Sequence, residues 1–71
     1  MARSTDTALT IVKAGGNVIV SSNIGSDNVA RIVQAAKVTG AHVTVQAGSR
    51  DSLVMAKIAR LAPGNVTFDL T

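Results

Sequence analysis

Residues 29–36 read VARIVQAA, and residues 55–62 repeat the pattern as MAKIARLA. Each copy follows a short alternating run, NVIVS at 17–21 and HVTVQ at 42–46, and a third such run, NVTFDL, occupies 65–70. Alternation of apolar and polar residues is typical of a half-buried strand, whereas apolar residues three and four positions apart indicate a helix. The chain therefore predicts two internal βα repeats and a closing strand. Such units bury their apolar faces only by stacking on neighbours.

Upstream of the repeat, residues 9–12 (LTIV) are largely β-branched and alternate, which favours a further strand. Only residues 13–16 (KAGG) connect it to the run at 17–21. Because a connection this short cannot carry a parallel crossover, we expect an antiparallel hairpin here. Residues 1–7 are polar, and we expect them to form a flexible tail ahead of a single βα-repeat domain at 8–71.

Together these elements predict an α/β fold of two layers in the order β-β-α-β-α-β. The last three strands should be parallel, with both helices on one face of the sheet, because helical crossovers are almost always right-handed. Ser26 is expected to cap the first helix, and Gly40 is expected to end it. The other face of the sheet is polar and carries His42 and Thr44, as on the concave side of a βα solenoid.

The composition narrows the function classes. The chain has no Cys and one His, so disulfides and thiolate metal sites are excluded and few catalytic constellations remain. Ser21, His42 and Asp69 fall on different rows of the predicted sheet and do not form a nucleophilic triad. We therefore predict a protein that is not an enzyme and that holds no cofactor and no metal. No apolar run approaches the length of a membrane span, so we expect no membrane partner and a cytoplasmic location.

Basic residues gather on the outer surface of the predicted helices, and the formal net charge is +3. Arg31 and Lys57 occupy equivalent positions of the repeat, which makes them neighbours and a candidate anion contact. Phe68 is the only aromatic residue. Since the proteins that bind single-stranded nucleic acid stack bases on several aromatic rings, nucleic acid is not expected as a partner.

A small aliphatic core in a 71-residue chain suggests that the protein gains stability from self-association. The last strand is expected at the edge of the sheet, where unpaired backbone groups invite another chain. Candidate interface residues are Thr67, Asp69 and Thr71 on that strand, and Leu53, which falls off the apolar stripe of the second helix. We predict a homo-oligomeric structural or protein-binding module, with a twofold dimer through like edges as the preferred arrangement.

Residues 17–71 resemble α/β solenoids of the leucine-rich-repeat kind in their succession of strand, small-residue loop, helix and Gly. Neither copy contains the L-x-x-L-x-L-x-x-N motif of that family. The resemblance is therefore one of architecture, and no binding residues carry over from that family.

A second resemblance is to the later half of anti-sigma-factor-antagonist (STAS) domains. It is carried by residues 20–25 (VSSNIG), residues 40–45 (GAHVTV) and Phe68. That family has a phosphorylated Ser in an Asp-Ser-Ser-Gly turn at a helix start. The resemblance implies Ser21 or Ser22 as the counterpart, with Ser22 as the candidate regulatory serine, and a phosphorylation-dependent regulatory domain as the alternative function.

Overall fold

The computed structural model describes residues 5–70. Within them, three helices alternate with three strands: α1 (Thr5–Lys13), β1 (Val18–Val20), α2 (Ser26–Thr39), β2 (Val43–Gln46), α3 (Ser52–Leu61) and β3 (Val66–Asp69). The strands form one parallel sheet in the order β1-β2-β3. The fold is α/β, as predicted, and consists of three successive αβ units.

The predicted β-β-α-β-α-β order is wrong at its beginning, because residues 9–12 belong to α1 and form no hairpin strand. In a strand, Leu9 and Ile11 would share a face. In the structure Leu9 and Val12 are buried together, whereas Ile11 is 42% exposed. Contacts three residues apart follow the helical period, so the packing of this segment against α2 overrides the strand preference of its β-branched residues.

The pair Gly15-Gly16 closes this helix instead of turning a hairpin. The backbone N–H of Gly16 donates to Ile11 O at 3.0 Å, and that of Gly15 donates to Val12 O at 2.9 Å. These two bonds are the Schellman pattern of a helix C terminus, which requires a left-handed residue just beyond the helix. Gly15 supplies it with a φ of +91°.

A sequence match also relates the first αβ unit to the third. Residues 14–20 (AGGNVIV) match residues 62–68 (APGNVTF), and both stretches run from a helix end into a strand. The repeat therefore has three copies, one more than the helix motifs at 29–36 and 55–62 reveal.

The helices lie side by side, because α2 packs against both α1 and α3. They cover one face of the sheet, on which Val18, Val43 and Val66 align in one row. The Thr39 hydroxyl at the end of α2 donates to Val12 O of α1 at 2.8 Å and ties the ends of the two helices together. The core is centred on the middle unit and comprises mainly Leu9, Val12, Val20, Val29, Ile32, Val33, Ala36, Ala41, Val43, Val45, Ile58 and Ala62.

The helix boundaries agree with the sequence at one end of α2 and differ at the other. Gly40 ends this helix with a φ of 80°, and its N–H donates to Ala36 O, as predicted. Its N-cap is Gly25, one residue before the predicted Ser26.

Of the expected tail at 1–7, residues 5–7 form the first turn of α1, and residues 1–4 lie outside the described residues. No helix within residues 5–70 is long and apolar enough to cross a bilayer.

Candidate functional site

The face of the sheet opposite the helices, here called the open face, is not covered by any element within residues 5–70. Ile19, Thr44 and Thr67 form its central row, and the Ile19 side chain is 75% exposed. His42 Nε2 lies 2.6 Å from Thr67 Oγ1 and joins β2 to β3 across this face. Parallel sheets are usually covered on both faces. The clean alternation in the sequence predicted this polar face correctly.

Two asparagines hold the beginning of β2 from opposite sides. The amide oxygen of Asn17, just before β1, accepts a bond of 2.8 Å from the backbone N–H of His42. The amide nitrogen of Asn65, just before β3, donates to Ala41 O at 2.8 Å. Both residues occupy the same place in the repeat, so side chains and backbone together fix the register of the three strands.

The backbone bonds between strands show which groups face the outer edges of the sheet. Val18 N–H donates to His42 O, and Val43 N–H donates to Asn65 O. Because successive residues of a strand point their backbone groups to opposite sides, Asn17 and Ile19 face outward on β1. On β3 the residues whose backbone groups point away from β2 are Val66, Phe68 and Leu70, since the backbone carbonyls of Asn65 and Asp69 bond to β2. Thr67 alternates with them and faces β2 as well.

One end of the molecule, here called the α1/β1 end, is concave. A groove of about 300 Å³ opens between the outer flank of α1 and the edge of β1 that faces away from β2. It is lined by Thr7, Ala8, Ile11, Asn17, Val18 and Ile19.

The opposite end, here called the α3/β3 end, presents larger apolar side chains. Val66 and Phe68 are only half-buried on the helix-covered side of β3, and Leu70 is 75% exposed. Val54 and Leu61 border the groove between α2 and α3. Met55 and Ala59 lie about 100° and 140° further around α3 than Val54, so the half-buried flank that they form faces away from α2.

The candidate interface residues do not form one patch. Thr67 and Asp69 share the open face, while Leu53 is exposed on α3 in the helix layer. Thr71 lies outside the described residues. Their part in an interface stays a prediction.

Arg50, which the sequence analysis missed, joins the two strand-to-helix loops. Its guanidinium donates to Gln46 O at 2.6 Å and also to Ile24 O of the other loop. The loops are in close contact, because a side-chain carbon at Gly48 would lie 2.7 Å from Ser22 Cβ. Ser22 itself is exposed. The position of Arg50 directly before the helix cap at Asp51 is visible in the sequence, whereas its bond to Ile24 O arises only from the tertiary fold.

The two candidate anion-contact residues are both exposed on the helix layer. Arg31 donates to Asn28 Oδ1 at 3.5 Å, one turn earlier on α2. Lys57 lines a groove of about 230 Å³ between α2 and α3, which Asp27 also borders. The acidic neighbour partly offsets the positive charge at this groove, so anion binding by Arg31 and Lys57 remains a prediction.

Side chains that could bind a metal ion or take part in catalysis are dispersed over the described part of the chain. Residues 5–70 contain no group of three His, Cys, Asp or Glu placed to hold a metal ion. Asp69 lies beside Gln46 in the strand register. Gln46 is four residues along the chain from His42, so Asp69 and His42 are separated by about 13 Å along the strand direction. Ser21, His42 and Asp69 are thus not brought together.

No family model, curated protein or solved structure matches this chain.

Proposed function

We propose that this protein is a non-enzymatic αβ-repeat module that assembles with copies of itself. The supporting observation is the contrast between its middle and its ends. The middle unit packs against a neighbour on each side, and Val43 and Val45 are fully buried. The α3/β3 end leaves Val66 and Phe68 half-buried beside an edge of the sheet.

Burial energetics favour covering these ends. Removing apolar surface from water contributes about 25 cal/mol for each Å². In repeat proteins, the contacts between neighbouring units supply much of the stability. Within residues 5–70, three short units provide two such internal contacts, between α1/β1 and α2/β2 and between α2/β2 and α3/β3. A further copy would add another contact at each end.

Sedimentation velocity over a wide range of concentrations tests this proposal. We expect particles larger than the 7.2 kDa monomer, with a mass that falls on dilution. Two variants locate the contact. Leu70 and Val38 are 75% and 86% exposed, but only Leu70 lies at an end of the sheet. We expect Leu70→Lys to weaken assembly and Val38→Lys to leave it unchanged. A parent protein that is monomeric at every concentration would contradict the proposal.

The same measurement addresses the regulatory alternative that Ser22 suggests. Ser22→Asp places a negative charge in the loop before α2, as a phosphate would. Since the proposed assembly does not depend on a phosphate at Ser22, we expect the variant to keep the mass of the parent. A change of mass in this variant alone would support the phosphorylation-dependent domain instead.

A further inference from the structure

We propose that copies join end to end, with β3 of one copy beside β1 of the next, so that the αβ repeat continues across the junction. This inference rests on the proposed self-association and identifies its partner surface as the α1/β1 end of a second copy. It replaces the twofold pairing of like edges that the sequence suggested.

The first argument is that the same interface already occurs twice within the chain. β1 pairs with β2 and β2 with β3, in both cases parallel, while α2 packs against α1 on one side and α3 on the other. Among the described residues, the two ends are therefore the unmatched halves of one repeating interface. Extending the register places Val66 and Phe68 beside Val18 and Val20 of the next copy. Pairing of like edges would instead introduce antiparallel strands into a parallel sheet.

The second argument comes from the two asparagines. Asn17 uses its amide oxygen and Asn65 its amide nitrogen to hold β2. Across an end-to-end junction, the amide oxygen of Asn65 is placed to accept from the backbone N–H of Asn17 in the next copy. The amide nitrogen of that Asn17 is placed to donate to Gly64 O. Each asparagine then repeats, with its other amide atom, the bond that its counterpart makes within the chain.

The third argument is the shape of the ends. The α1/β1 end has a groove of about 300 Å³ that includes the partly exposed Ile11. The α3/β3 end presents Phe68 and Met55 as half-buried side chains. A groove facing bulky side chains can be filled, whereas two grooves or two bulky surfaces facing each other pack poorly. Contact between unlike surfaces is heterologous, so the assembly is a ring or a filament.

A mixing experiment with two proline variants tests this arrangement. Ile19→Pro removes an outward-facing donor from β1, and Leu70→Pro removes one from β3. Both side chains are 75% exposed, so neither change disturbs the core. Ile19→Thr and Leu70→Thr are the matched controls, because they keep the N–H groups. Native mass spectrometry, with one variant carrying heavy isotopes, reports the composition of each complex.

If copies join end to end, each proline variant alone is monomeric, because each retains only one of the two required ends. Mixing them restores one junction and gives a heterodimer with one copy of each variant. If like edges pair, one proline variant forms dimers by itself, which would overturn the inference but leave self-association intact. Oligomers of parental mass in both proline variants would overturn it as well. A monomeric parent contradicts both proposals.

A second pair of variants keeps the test decisive if a proline prevents folding, which circular dichroism detects. Ile11→Lys puts a charge into the groove of the α1/β1 end, and Ala59→Lys puts one on the flank of the α3/β3 end. The expected pattern is the same: each variant alone is monomeric, and the mixture contains mixed dimers only. Dimers of either variant alone would again refute the end-to-end junction.

Discussion

The middle and outer units of this protein have similar sequences but different environments. Val43 of β2 and Val66 of β3 occupy the same row of the sheet, yet Val43 is completely buried and Val66 only half-buried. The difference arises from neighbours, because β2 has a strand on each side and β3 has one among the described residues. Burial in a repeat thus depends on the position of a unit in the stack as much as on the residues within it.

The strongest test of this comparison is truncation of the two valines. Val43→Ala removes two fully buried methyl groups and leaves a cavity, so we expect it to lower the free energy of unfolding by about 2.5 kcal/mol. Val66→Ala should cost about 1 kcal/mol in the monomer, because part of that side chain is already in water. Urea denaturation at low protein concentration measures both values. Equal losses would show that the outer unit is as well packed as the middle one.

A smaller effect is expected at the contact between the middle unit and the first unit. Thr39→Val keeps the shape of the side chain but removes the hydroxyl that donates to Val12 O. We expect a loss of about 1 kcal/mol, the usual net contribution of one hydrogen bond. The reverse change at the adjacent exposed position, Val38→Thr, is the control and should leave the denaturation midpoint unchanged. An unchanged midpoint for Thr39→Val would mean that packing alone holds α1 on α2.

The smallest expected effect on stability is at Thr10, and its sign distinguishes a helix from a strand in the first unit. Thr10 is exposed on α1, and its hydroxyl donates back to Asp6 O at 2.8 Å. Ala has a higher helix propensity than Thr, so Thr10→Ala should stabilise the protein by about 0.5 kcal/mol. In a strand the same change would be destabilising. Thermal unfolding monitored by circular dichroism separates the two outcomes, and a lower midpoint would argue against the helix.

The open face and the strands that form it were predictable from the sequence. Alternation in residues 17–21, 42–46 and 65–70 placed three strands and their polar side correctly. The roles of Asn17 and Asn65 were not predictable, because their bonds to β2 join residues 25 and 24 positions apart. Arg50 was missed for the same reason, since the loop containing Ile24 reaches it only through the tertiary fold.

By itself, the sequence determined the two helices of the repeat, the three parallel strands and the end of α2 at Gly40, because periodicity and capping are local properties. Only the tertiary structure decided the state of residues 9–12. Four residues that alternate and are largely β-branched are compatible with a strand or a helix, and Gly15-Gly16 is compatible with a hairpin turn or a helix cap. Packing against α2 buries Leu9 together with Val12, and a helix is the conformation that places these two residues on one face.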